Sequence, residues 1–173
     1  NRDKNKTTKV ILFLSQWTIG EKFSKFAVEF SNLINDKWKI IYKLHPGEYS
    51  NWKKRYPWLA NSGIEVVDSL RHNIYEYFAI SNVQVGVSST AIFEGLGFGL
   101  DTFIFNTVSA ECMKQLCQDG FAAEVNSAKE LADKLEKNIK SKKNKDKLFW
   151  KENAFNNLCV EINKCIDSTT ACS

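Results

Sequence analysis

Short apolar runs rich in branched and aromatic residues alternate along this chain with amphipathic segments, the pattern of parallel strands joined by crossover helices. Val10 to Leu14 (VILFL) is apolar at every position, as a strand buried on both faces requires. After Gly20, the segment Glu21 to Ile34 repeats Phe23, Phe26, Ala27, Phe30, Leu33 and Ile34 at helical spacing, which predicts a helix with one buried stripe. Trp38 to Leu44 (WKIIYKL) predicts a second strand, stopped at His45-Pro46-Gly47 because proline cannot donate to a ladder. Pro57 breaks any helix across Trp52 to Tyr56, Ile64 to Val67 supplies a third strand, and Ile74 to Ala79 a helix. Val83 to Val87 is a fourth strand that runs into Ser88-Ser89-Thr90, hydroxyl residues suited to capping a helix that Gly95, Gly97 and Gly99 end early. Asp101 to Phe105 and Phe121 to Val125 complete the strands. Helices are predicted over Val108 to Cys117, Ser127 to Ile139 and Lys147 to Ile166. The alternation predicts an α/β fold: a Rossmann-like, three-layer domain with a mainly parallel sheet of about six strands and helices on both faces.

With 173 residues, the chain has room for one domain with a real core and not for two comfortable ones. Its net charge of +4 is too small to mark a dedicated polyanion binder. The lysines gather in Asn1 to Lys9 and Lys134 to Lys147, ends that are solvated or face a membrane carrying anionic lipid. No apolar run reaches the roughly 20 residues that span a bilayer, and the first residues lack the apolar core of a signal peptide. Five cysteines without a CxxC pair signal neither a zinc site nor a disulfide framework, and a reducing cytoplasm is the simpler setting. Cys112 and Cys117, five apart on a predicted helix, read as small packing residues.

In an open parallel sheet, ligands bind where loops leave the carboxyl ends of the strands. Three loops therefore outline one cleft: Ser15 to Gly20, which includes Gln16; His45 to Glu48; and Val87 to Glu94. Ser88, Ser89 and Thr90 place hydroxyls and backbone N–H groups at a helix start, either as an ordinary cap or as an anion site. Glu94, one and a half turns in, is either a solvated helix glutamate or within reach of the ribose of a bound nucleotide. His45 is held between Leu44 and Pro46, so its ring can project into the cleft and donate to a phosphate oxygen; a purely structural histidine is the alternative. Glu48 orients His45 or contacts substrate, or is solvated. His72, in a polar turn, receives no role.

Other chemistries find less support. There is no P-loop, and GLGFG stands at a helix end rather than between a strand and a helix, where a dinucleotide fingerprint belongs. No GxSxG elbow is present. Trp52, Tyr56 and Trp58 around Lys53, Lys54 and Arg55 could stack on nucleic acid, but aromatic residues beside a proline turn are more often core edge, and no nucleic-acid partner is expected.

KLHPGE (Lys43 to Glu48) and GVSSTAIFEGLGFG (Gly86 to Gly99) resemble the HP and SS/T motifs of bacterial sialyltransferases and polysialyltransferases. The second also resembles a segment of UDP-GlcNAc 2-epimerases, and related spacing occurs in CDP-glycerol glycerophosphotransferases that build teichoic acids. The likeness covers about Val10 to Ala123. It implies one half of a GT-B enzyme, the C-terminal domain that holds the nucleotide of a CMP-, CDP- or UDP-linked donor, in cytoplasmic synthesis of capsule or lipopolysaccharide at the inner face of the membrane. On this resemblance His45 is the catalytic phosphate ligand. Ser88, Ser89 and Thr90 form its cradle, Glu94 a ribose ligand, and Pro46, Gly47, Glu48 and Gln16 complete the site. The donor is substrate, no metal or other cofactor is expected, and a missing N-terminal domain brings the acceptor glycan and the catalytic base. Residues 1–9 are then a linker remnant and 10–173 the nucleotide-sugar-binding domain with its last helix at 147–166. Such a fragment is not a complete enzyme. An epimerase-like domain and a non-catalytic binding module are the alternatives.

Overall fold

Six strands form one sheet in a computed structural model that describes residues 8–138 and 152–170. They are β1 (Lys9–Leu14), β2 (Trp38–Lys43), β3 (Glu65–Val67), β4 (Val83–Gly86), β5 (Asp101–Phe105) and β6 (Ala123–Val125). The order across the sheet is β3-β2-β1-β4-β5-β6, and every pair is parallel. Chain order runs outward from β1 in one direction, returns, and runs outward in the other. That leaves a topological switch between β1 and β4, where the loops above the two strands diverge.

The helices are α1 (Gly20–Ser31), α2 (Trp52–Arg55), α3 (Pro57–Ala60), α4 (Ile74–Ile80), α5 (Ala91–Gly97), α6 (Lys114–Gln118), α7 (Ala128–Glu136) and α8 (Ala154–Thr170). α1 covers the face that presents Phe13 and Tyr42. There Phe23, Phe26 and Phe30 pack on Phe13 with ring centroids 5.6, 6.0 and 5.8 Å away, and Phe26 stacks on Phe105 at 4.2 Å. α5 lies on the other face, where Ile92 sits against Gly86 beside Leu14. Strand β4 carries a fully buried Gln84 on this side. Its Nε2 donates to the Ile92 carbonyl (2.8 Å) and to Thr102 Oγ1 (3.0 Å), tying α5 to β4 and β5. A Cβ on Gly95 would stand 2.0 Å from Gln84 Oε1, so the helix can approach only with glycine there.

Several boundaries differ from those the pattern predicts. β1 begins at Lys9, one residue inside the stretch read as linker. α1 closes at Ser31, and Leu33 lies more than half exposed (52%) instead of extending the buried stripe. Pro57 does not remove helix around it. It takes the first position of α3, where its missing N–H costs nothing, and Tyr56 forms the break from α2. Val108–Met113 is a 3-10 segment and only Lys114–Gln118 is α-helical. Cys112 in that segment is exposed, so it is not a packing residue. The last helix starts at Ala154, while residues 147–151 of its expected span lie outside the described residues. No helix among the described residues is long and apolar enough to cross a membrane.

Candidate functional site

The carboxyl ends of β1, β2, β3 and β4 open on a cleft of about 400 Å³ on the α4 side of the sheet. Leu14 ends β1 and Ser15 follows it. Lys43, Leu44, His45 and Pro46 end β2. Leu70, His72, Asn73 and Ile74 follow β3, and Ser89 and Ala91 follow β4. Among the residues expected at the site, His45, Pro46 and Ser89 line this space directly. The others support the loops around it or stand beside it.

His45 is the cap of a 3-10 turn, Pro46–Glu48, and its ring orientation follows from that. Its Nδ1 accepts from the Gly47 N–H at 3.1 Å, while its own backbone N–H donates to Glu48 Oε2 at 2.8 Å. With Nδ1 an acceptor, the neutral imidazole carries its proton on Nε2, so the exposed ring presents a donor. Gly47 allows the Trp17 indole to lie on this turn, since a Cβ there would come within 2.9 Å of Trp17 Cε3.

Glu48 is fully buried and sits beneath the loop rather than in the cleft. Besides holding the His45 N–H, its carboxylate accepts from the Tyr56 hydroxyl at 2.7 Å. Burial pushes Tyr56 well above the usual phenol range, and the bond to Glu48 and that carboxylate's charge push it further, so the hydroxyl stays a donor. Both oxygens press on the start of α1, where a Cβ on Gly20 would lie 2.2 Å from each. The carboxylate therefore fixes the His45 turn to α1 and α2, a positioning role.

Gln16 and Ser88 close the gap at the topological switch. The Ser88 N–H donates to Gln16 Oε1 at 3.0 Å, and Gln16 Nε2 donates to Ser88 Oγ at 3.2 Å. Ser88 is thereby occupied and does not cap α5. Nor does any other side chain cap it: the N-cap residue is Thr90, which makes no capping bond, and Ser89 Oγ accepts from the Ala91 N–H at 3.3 Å just ahead of the helix. The N–H groups of Ser89 and Thr90 have no acceptor among the described residues. With seven residues α5 carries only a small macrodipole, so any anion held here depends on these local donors more than on the helix field. Glu94 is half-buried on α5 and does not line the cleft.

Two contributors were not foreseen. The segment after β3 forms one wall, with His72 Nδ1 bonded to Glu76 Oε2 at 2.9 Å and Asn73 capping α4. Lys43, the last residue of β2, is 9% exposed, and its ammonium donates to Tyr49 Oη at 2.8 Å. No cluster of three or more His, Cys, Asp or Glu side chains is placed to hold a metal ion among the described residues.

A cleft at the switch point of a 3-2-1-4-5-6 parallel sheet has counterparts in known structures. The C-terminal CMP-Kdo binding domain of WaaA from Acinetobacter baumannii superposes with a TM-score of 0.52 at 14% identity, over 73% of this chain and 78% of that one. The wall teichoic acid polymerase TagF, in a crystal soaked with CDPG, gives 0.57 at 17% identity over 95% of this chain. This chain has the fold of a GT-B C-terminal domain. A Listeria monocytogenes protein described as a UDP-N-acetylglucosamine 2-epimerase gives 0.59 at 13% identity, over 94% of this chain. The chain spans 43% of the TagF chain and 46% of the Listeria chain, less than half of each. No family model matches the sequence, and no curated protein matches it significantly.

Proposed function

We propose that this domain binds the nucleotide-sugar donor of a bacterial glycosyltransferase of surface-polysaccharide synthesis, with the donor's phosphate between His45 and Ser89–Thr90. The observation that carries the reading is that His45 and Ser89 line one cleft, with the His45 Nδ1 turned to the Gly47 N–H and the N–H groups of Ser89 and Thr90 without an acceptor among the described residues. Such donors suit a phosphate oxygen on which negative charge grows as the sugar leaves, and they need no rearrangement to act. Two of the fold relatives, a CMP-Kdo binding domain and a polymerase soaked with CDPG, favour a cytidine nucleotide. A sialic acid donor and a capsule product follow only from the motif resemblance. The catalytic base and acceptor site belong in this reading to a second domain, and the work is done on the cytoplasmic side of the membrane.

Calorimetric titration of the chain with CMP, CDP and UDP tests it. Binding of a cytidine nucleotide that weakens at least several-fold in Ser89→Ala is expected, and no binding of any of the three at millimolar ligand would overturn the assignment. In the parent enzyme His45→Ala should lower turnover on the order of a hundredfold while leaving the fold intact, and EDTA should have little effect. A second reading, a 2-epimerase, is favoured by the Listeria structure. Turnover of UDP-GlcNAc by the parent enzyme would select it.

A further inference from the structure

Lysine is almost never buried without a counter-charge, because removing an ammonium from water costs several kcal/mol that only an ion pair or a ligand returns. Lys43 breaks that rule at the cleft. It lies 9% exposed at the end of β2, its ammonium donates to the neutral Tyr49 hydroxyl, and Tyr49 in turn donates to the Ser69 carbonyl at 3.3 Å. No carboxylate stands within ion-pair distance of it among the described residues. Asp68 follows Val67, the register partner of Lys43, but accepts from the Trp52 indole at 2.8 Å instead. No Asp or Glu lines the cleft among the described residues. One N–H of the ammonium is spent on Tyr49, which leaves two donors without an acceptor among the described residues, on a side chain whose residue lines the cleft.

We infer that Lys43 is a specificity residue for a second anionic group of the ligand, a phosphate beyond the one at His45 or a carboxylate on the transferred sugar. The inference rests on the donor-binding reading of this cleft and adds the charge its ligand must carry. A buried cation kept for a ligand leaves the free domain less stable than an apolar residue of the same shape would. Lys43→Met should therefore raise the melting temperature of the free chain while weakening the anionic ligand. A structural lysine would give the opposite sign in the melt.

The test titrates wild type, Lys43→Met and Lys43→Arg with cytidine, CMP, CDP, CMP-sialic acid and pyrophosphate, with circular dichroism to verify folding; Lys43→Gln replaces the methionine variant should that not fold. The loss of one charge-assisted contact is expected to cost tenfold to about a hundredfold in affinity. A loss for CDP but not CMP assigns the group to a second phosphate; a loss for CMP-sialic acid beyond that for CMP assigns it to the carboxylate. Lys43→Arg keeps the charge and should bind the charged ligands more tightly than Lys43→Met does. Equal affinities in wild type and Lys43→Met, or a loss as large for cytidine as for the charged ligands, overturns the inference while the donor reading stands. Pyrophosphate bound in a Lys43-dependent way by a chain that binds no nucleotide upholds the inference and removes the donor reading. A wild-type chain that binds none of these ligands removes both.

Discussion

Gly20→Ala should destabilise this domain, although helix propensity alone predicts a gain of up to about 1 kcal/mol at the start of α1. The new methyl would stand 2.2 Å from Glu48 Oε1, 2.2 Å from Tyr56 Oη and 2.9 Å from Tyr56 Cζ. Ordinary contact needs more than an ångström beyond the two shortest distances, and neither side chain has room: Glu48 is fully buried and Tyr56 is 1% exposed. The methyl wedges into their 2.7 Å hydrogen bond. Overpacking costs about 1–3 kcal/mol, and loss of a hydrogen bond to a charged group about 1.5–3 kcal/mol. Net of the propensity gain, roughly 1.5–5 kcal/mol is lost, a fall of roughly 3–20 °C in melting temperature for a chain of this size. Because Glu48 also holds the His45 N–H, nucleotide affinity should fall in the same variant. Thermal unfolding followed by circular dichroism reads the first effect and calorimetry the second. In a Tyr56→Phe background one of the two obstructing oxygens is gone, so the cost of Gly20→Ala should shrink by at least about 1 kcal/mol. An unchanged or raised midpoint in Gly20→Ala would refute the seating of the Glu48–Tyr56 pair on the helix start.

Gln16→Ala removes the bridge to Ser88 and should weaken nucleotide binding by about tenfold with a melting temperature within a few degrees of wild type; unaltered affinity would show that the bridge does not set the Ser89–Thr90 loop. Gly95→Ala drives a methyl into Gln84 and should cost about 2–4 kcal/mol in urea unfolding, with much of the loss recovered by adding Gln84→Ala. The Lys134 ammonium bonded to Glu130, together with the Asn126 N–H, lowers the Glu130 carboxyl from its ordinary 4.5 to about 2. A depressed acid stabilises the fold above its unfolded value, so this contribution is complete above about pH 4.5 and fades as pH falls towards 2. With the Glu130 side chain 33% exposed, solvent screening holds it to about 1 kcal/mol, and Glu130→Gln should flatten that part of the pH–midpoint curve.

The four central strands were legible because their apolar runs are buried on both faces. Asp101 to Phe105 coincides with β5, and the other strands are off by one or two residues where a polar or glycine neighbour makes the end ambiguous. The three-residue β6 shows how little pattern an edge strand needs when Val125 alone is deeply buried. Helix ends were less readable, since α1 stops where the chain turns towards β2 and not where its apolar spacing stops. Of the residues the loop rule picks out, the fold brings His45, Pro46 and Ser89 to the wall of one cleft. Applied equally to Ile64 to Val67, the same rule would have found the His72–Asn73 wall. The buried state of Glu48 and the exposure of its neighbour His45 could not be read from KLHPGE, because they depend on Tyr56 and Gly20, which reach the turn only through the tertiary fold. Lys43 reads as a strand-end lysine in sequence. Its isolation from carboxylates exists only once β3 and Tyr49 are in place.

The Gln16–Ser88 bridge joins positions 72 apart, across the boundary between the oldest pairing in chain order and the later one. A partly assembled molecule with β1 on β2 already has its His45 turn, yet it has no second wall until β4 docks on the far side of β1. High contact order of this kind makes the last docking step slow and leaves open sheet edges while it is pending. Any molecule held between the two loops recognises only the finished sheet. By mass action it withdraws chains from the half-built population, adding about 2.7 kcal/mol of stability at a hundredfold excess over its Kd. Supply of such a molecule would then raise the share of the protein that survives quality control.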